Sequence, residues 1–172
     1  MITLVLGGTR SGKSEVAESL ASGFAARVTY VATGSSSDAD MAARIAAHRA
    51  RRPAGWATVE AAVDLPEVLA AVDGPAIVDS LGNWVAAHAD LAPDATGLCR
   101  ALGGRGADTI VVSEEVGLGV HAPTAAGRRF ADALGELNRA VAELSDEVLL
   151  VVAGRVLPLS RPASRGRLEP TD

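Results

Sequence analysis

Gly7-Gly8-Thr9-Arg10-Ser11-Gly12-Lys13-Ser14 fits the spacing G-x-x-x-x-G-K-[ST] without a mismatch. Glycines let backbone N–H groups curl around phosphate oxygens, and the start of a following helix adds a positive dipole end. In such a loop Lys13 reaches the β- and γ-phosphates and the Ser14 hydroxyl ligates Mg²⁺. Of the 16 basic residues 15 are arginine, and Lys13 is the only lysine. A general preference for arginine explains the bias, but the retained lysine sits where a compact ammonium serves and a planar guanidinium does not. The alternative is a glycine-rich turn without a ligand. An apolar run before the motif and a helical pattern after it favour the phosphate loop.

Three further groups carry chemistry. Asp79 closes the apolar run Ala76-Ile77-Val78, where a second Mg²⁺-directed carboxylate belongs; any strand can also end in an aspartate that caps a turn. Met41–Arg52 reads as a helix in which Met41, Ile45 and His48 share a face, with Arg44 and Arg49 beside the histidine. His48 is either ordinary helix decoration or a nucleophile or acid/base working on phosphate among cations. His48, His88 and His121 lie far apart and show no metal-ligand spacing. Glu114-Glu115 ends another apolar run, Thr109–Ser113.

The elements that must hold these residues follow from the apolar pattern. Ile2–Leu6, Val28–Ala32, Trp56–Glu60, Ala76–Asp79, Thr109–Ser113 and Val148–Val152 read as strands. Arg155–Leu159 returns as a hairpin strand. Helices are expected at about Lys13–Ala21, Met41–Arg51, Leu65–Val72, Asn83–His88 and Ala125–Leu144, with one turn around Leu98–Leu102. In the long helix Phe130, Leu134, Leu137, Val141 and Leu144 form one stripe. Strands alternating with helices predict an α/β fold with a mostly parallel sheet covered on both faces. Ligands bind such sheets at the carboxyl ends of the strands, where the polar residues above all fall.

The 172 residues bound this reading to one domain, expected over 1–159, with a flexible Arg-rich tail over 160–172. Apolar residues at 48% and charged residues at 22% exclude a wholly disordered chain. No apolar run approaches the roughly 20 residues of a membrane span. Met1–Leu6 lacks the basic start of a signal peptide, and Cys99 is the only cysteine, so a cytoplasmic protein without disulfides is expected. A net charge of −5 argues against nucleic acid as a partner.

The chain resembles the bifunctional adenosylcobinamide kinase/adenosylcobinamide-phosphate guanylyltransferases of cobalamin biosynthesis, over nearly its whole length up to about Leu159. The phosphate loop carries that family's additional Arg10-Ser11 pair. Tyr30-Val31-Ala32-Thr33 matches its Y-[IV]-A-T strand, and Met41, Arg44, Ile45, His48 and Arg49 match M-x-x-R-I-x-x-H-[RK]. Arg52, Pro53, Trp56, Thr58 and Glu60 match R-P-x-x-W-x-T-x-E. Glu115, Val116, Gly117, Gly119 and Val120 match E-V-G-x-G-[IV]. Phe130, Asp132 and Asn138 fall on the family's long helix, and Asp146–Gly154 on its last strand. Residues 90–106 are shorter than in many members, and Pro123 comes one place later than in some.

The resemblance implies a P-loop NTPase (RecA-like) three-layer fold with a C-terminal antiparallel hairpin strand. It implies ATP and GTP as substrates with Mg²⁺, and adenosylcobinamide and its phosphate as acceptors. His48 then becomes the residue that attacks the α-phosphate of GTP and holds GMP covalently. Apart from the resemblance, the position of Arg44 and Arg49 beside His48 suggests that they neutralise charge on the guanylyl phosphate. Glu115 is the expected base for the acceptor hydroxyl, Asp79 standing behind it; a carboxylate that caps its own glycine loop is the equal alternative. Trp56 and Glu60 would hold a base or the corrin, or Trp56 is core. A homo-oligomer, a trimer by resemblance, is expected. Two other readings are a single-activity kinase or guanylyltransferase and a GTP-dependent switch.

Overall fold

The computed structural model describes residues 1–24, 26–34, 53, 55–119 and 122–161. Strands β1 (Ile2–Gly7), β2 (Thr29–Ala32), β3 (Ala57–Glu60), β4 (Ala76–Asp79), β5 (Thr109–Glu114), β6 (Glu147–Val152) and β7 (Arg155–Pro158) form one sheet. Their order is β3-β2-β4-β5-β1-β6-β7. Every pairing is parallel except β6 with β7, a hairpin closed by Ala153 and Gly154. The helices are α1 (Lys13–Ala21), α2 (Leu65–Ala71), α3 (Leu81–Ala87), α4 (Ala95–Gly103) and α5 (Ala125–Leu144). The helix expected over Met41–Arg51 and the tail beyond Arg161 lie outside the described residues.

Period-two alternation sends successive strand residues to opposite faces, and both faces are covered. Val5, Tyr30, Ile77, Ile110 and Val112 pack with Ala17 and Ala21 of α1. Leu4, Leu6, Val31, Val78 and Val111 pack under α2 to α5, against Leu65, Leu69, Trp84, Leu98 and Leu134 among others. Trp56 is half-buried against the α1-side core, which accounts for its apolar ring.

Two helices differ from the sequence expectation. The helix after β4 begins at Leu81 rather than Asn83, because Ser80 caps it by accepting from Asn83 N at 3.4 Å. The single turn around Leu98 is a nine-residue helix, α4. Asp94 caps it through Gly97 N at 2.8 Å, and Leu98 and Leu102, one turn apart, are fully buried. The α5 stripe holds through Leu134, Leu137 and Val141, but Leu144 is exposed at the helix end.

Arg105 ties α2 to the start of β5. Its guanidinium donates to the carbonyls of Leu69 and Val72 at 2.7 Å each, and to Gly74 O at 2.5 Å. Its Nε donates to Thr109 Oγ1 at 2.8 Å. Burial pulls this guanidinium below its ordinary range, and Asp73 partly restores it.

Candidate functional site

The parallel register sets out the carboxyl edge of the sheet. Gly7 pairs with Glu114 and Val151, Asp79 with Val112 and Ala32, and Ala32 with Glu60. Along that edge the phosphate loop follows β1, Glu114 stands on the adjacent strand, and Asp79 one strand further. Glu60 lies four strand positions from β1, about 19 Å across the sheet at about 4.8 Å per strand.

The loop is shaped for close approach. Gly12 has φ 94°, the left-handed region that glycine alone adopts without strain, and its carbonyl accepts from Val16 N at 3.0 Å to start α1. Lys13 and Ser14 are therefore the first two residues of α1, half-buried at its positive end. Gly8, Thr9 and Arg10 are exposed, and Ser11 is buried. The β6–β7 hairpin braces the loop from behind. Gly154 N donates to Ser11 O at 2.8 Å, and a Cβ on Gly12 would sit 3.4 Å from Gly154 Cα.

Alternation places the side chains of Asp79 and Glu114 on the α1 face, as each stands two residues beyond a residue of the α1-side core. Lys13 Nζ lies 3.5 Å from Glu114 Oε1 and 3.5 Å from Gly8 O. Glu114 Oε2 accepts from Gly82 N at 3.0 Å. Asp79 accepts a hydrogen bond from the buried Tyr30 hydroxyl. The ends of β2 and β4 are locked together: Thr33 Oγ1 donates to Ser80 O at 2.6 Å and accepts from Ser80 N at 2.8 Å.

The structure thus brings Lys13, Ser14 and Asp79 to one face of one sheet edge, and adds Glu114, which sequence reasoning passed over for Glu115. Glu115 is half-buried on the next residue. Its N donates to Gly7 O at 3.1 Å, and its Oε1 accepts from Gly117 N at 2.7 Å. That contact is the loop-capping geometry set against the base reading. Glu60 is exposed at the far end of the edge. His48, Arg44 and Arg49 lie outside the described residues, as does His121. The signal that would have found Glu114 is the pairing of Gly7 with residue 114, which needs the strand order.

An oxygen-only donor set, the Ser14 hydroxyl and the Asp79 carboxylate, suits a hard cation such as Mg²⁺, which takes its other ligands from phosphate and water. Among the described residues no group of three His, Cys, Asp or Glu side chains forms a protein cage for a metal. No helix of the described residues is long and apolar enough to cross a membrane.

Residues 3–159 match the family model described as cobinamide kinase / cobinamide phosphate guanyltransferase. The chain is 39% identical over 168 residues to the bifunctional adenosylcobalamin biosynthesis protein CobP of Pseudomonas aeruginosa, covering 92% of this chain and 97% of that one. It is 34% identical to the bifunctional adenosylcobalamin biosynthesis protein CobU of Escherichia coli, covering 90% and 97%. Among solved structures, a prototypical ATPase of the type III secretion system superposes with a TM-score of 0.51 at 12% identity, over 87% of this chain and 50% of that one. The flagellar accessory protein FlaH of Methanocaldococcus jannaschii gives 0.50 at 13%, over 90% and 74%. At such identities the likeness is one of fold, a mostly parallel sheet flanked by helices.

Proposed function

The chain belongs to the cobinamide kinase / cobinamide phosphate guanyltransferase family, and we propose that it divides its two reactions between residues around Lys13 and residues around His48. It is a bifunctional enzyme of cobalamin biosynthesis, a kinase and a nucleotidyltransferase. The observation that carries the kinase half is the loop itself: the only lysine of the chain opens α1 directly after a left-handed glycine, at the carboxyl edge of the sheet.

In the kinase reaction the phosphates of ATP or GTP lie in Gly7–Ser14. Lys13 neutralises the β/γ end, and Arg10, exposed on the loop, is open to the nucleotide. The aminopropanol hydroxyl of adenosylcobinamide attacks the γ-phosphorus. The bond from that phosphorus to its bridging oxygen breaks, and the nucleoside diphosphate leaves with the electron pair. Glu115, directly after β5, accepts the hydroxyl proton through its second carboxylate oxygen, Oε1 being engaged with Gly117 N. Ser14 and Asp79 would hold Mg²⁺, which supplies charge neutralisation at the phosphates.

In the transferase reaction a neutral imidazole nitrogen of His48 attacks the α-phosphorus of GTP, and pyrophosphate leaves. An unperturbed imidazole, with a pKa of about 6.5, is mostly neutral at pH 7. A phosphate oxygen of adenosylcobinamide phosphate then attacks the same phosphorus, the P–N bond breaks, and adenosylcobinamide-GDP forms with free His48. Splitting one displacement into two is the gain of covalent catalysis. Arg44 and Arg49 neutralise the guanylyl phosphate, and Glu60 with Trp56 contributes to holding the base or the corrin. This half rests on the sequence blocks 41–49 and 52–60 and on the family match.

The reading includes residues 1–159 as one catalytic domain, a cytoplasmic setting and a homo-oligomer. Exposed Val152, Val156 and Leu157 on the β6–β7 edge support self-association.

The direct test supplies adenosylcobinamide, Mg²⁺ and ATP or GTP, and follows the phosphate ester by mass. Wild-type protein is expected to form it, and Lys13→Ala to lose about 100- to 1,000-fold in rate. No ester from protein that binds the nucleotide would overturn the kinase assignment.

A further inference from the structure

We propose that Glu114 competes with the nucleotide for Lys13: it holds the ammonium in the empty site and recaptures it when the γ-phosphoryl group has left. The proposal rests on the reading of Gly7–Ser14 as the nucleotide site.

The first observation is that the ammonium already has a partner. The Lys13 side chain is only 12% exposed, so its charge needs compensation inside the protein. Glu114 Oε1 at 3.5 Å and Gly8 O at 3.5 Å provide it. Both distances are long against the 2.7–2.9 Å of a strong charge-assisted hydrogen bond. The pair is therefore weak enough to exchange for phosphate oxygens.

The second observation is that Glu114 is held by contacts other than Lys13. Its Oε2 is fixed by Gly82 N, and Gly82 carries no Cβ, which would collide with that same carboxylate. Its backbone carbonyl accepts from Asn138 Nδ2 at 3.0 Å. Asn138 in turn is locked by the buried Ser113 hydroxyl at 2.6 Å. A carboxylate bound to the backbone of α3, on a residue whose main-chain carbonyl is held by the Asn138 amide of α5, does not follow the ammonium to the phosphates.

The consequence is a competition between two anions for one cation. A triphosphate brings enough charge to draw Lys13 off Glu114. After transfer the diphosphate has lost the γ end. Glu114 recovers the ammonium, and the product is weakened more than the substrate.

The test is Glu114→Gln, which keeps the shape and an acceptor for Gly82 N but removes the charge. Dissociation constants for a non-hydrolysable Mg²⁺–ATP analogue and for Mg²⁺–ADP are measured by calorimetry, in the wild-type and Lys13→Ala backgrounds. Both nucleotides are expected to tighten about two- to tenfold, ADP at least as much as the analogue, as befits a pair that is partly exposed. In the Lys13→Ala background the tightening falls below twofold. Unchanged or weakened binding on Glu114→Gln overturns the proposal. Equal tightening in both backgrounds also does, because it reports mere repulsion of phosphate. So does a 100-fold loss of kcat with unaltered affinities, which would make Glu114 a base in contact with the substrate. If Glu114→Gln yields no folded protein, Glu114→Asp draws the charge back by one methylene, and a smaller tightening is expected; none overturns the idea. Wild-type protein that binds neither nucleotide would remove the site reading itself, whereas binding that Glu114 does not modulate removes only this inference.

Discussion

Asn138→Ala is expected to destabilise the protein far more than an ordinary helix substitution, because it orphans the buried Ser113 hydroxyl and the part-buried Glu114 carbonyl at the end of β5. Asn138 is 7% exposed and makes two hydrogen bonds outside its own helix. The carbonyl of Glu114 can only accept, so the amide nitrogen must face it, at 3.0 Å. The amide oxygen accepts from the Ser113 hydroxyl at 2.6 Å, and Ser113 is fully buried. Truncation leaves a hydroxyl and a carbonyl without partners, each costing about 1–3 kcal/mol, so about 2–6 kcal/mol together. For a chain of this size that lowers Tm by roughly 4–24 °C, at roughly 2–4 °C per kcal/mol. Urea denaturation followed by circular dichroism gives the free energy, with an unchanged slope showing that the unfolded state is unaltered. Ser113→Ala combined with Asn138→Leu removes one orphan and refills the volume, so it should recover about 1–2 kcal/mol of the loss. A loss below about 1 kcal/mol for Asn138→Ala, or a double variant as unstable as the sum of its parts, would refute the reasoning.

Two further outcomes follow from the backbone and from burial. Ala153, exposed in the β6–β7 turn, holds φ 51°, a left-handed conformation costing a residue with a Cβ about 1 kcal/mol, so Ala153→Gly should raise stability by several tenths to about 1 kcal/mol in the same urea assay; a drop would show that the turn is not strained. Burial pushes the Cys99 thiol above its ordinary range, so alkylation by iodoacetamide should be slower than for a free thiol at pH 7.5 and should accelerate through higher pH than that thiol does; equal rates would contradict the burial.

How much of this was legible in the sequence depends on whether a feature is local. The phosphate loop was fully legible, because Gly12, Lys13 and the preceding β1 act through neighbours in the chain. The strand-and-helix alternation and the α5 stripe at Leu134, Leu137 and Val141 were legible for the same reason. The length of α4 was not, because Pro93, Gly97 and Gly103 dilute the periodic signal while Asp94 and Leu98 carry it. Glu114 was hidden behind Glu115. Which of two adjacent glutamates turns toward Lys13 depends on β5 lying next to β1, and strand order is a tertiary fact. The brace of Gly154 against Ser11 joins positions far apart in the chain and had no local trace beyond the hairpin strand expected at Arg155–Leu159.

The central claim is that one chain carries two separable chemistries, and the intact mass of the protein after incubation with GTP and Mg²⁺, without corrinoid, tests it most directly. Wild-type protein is expected to gain one GMP, labile to acid, absent from His48→Ala and retained by Glu115→Gln. Wild-type protein that binds GTP yet gains no mass would contradict the guanylyl-histidine route.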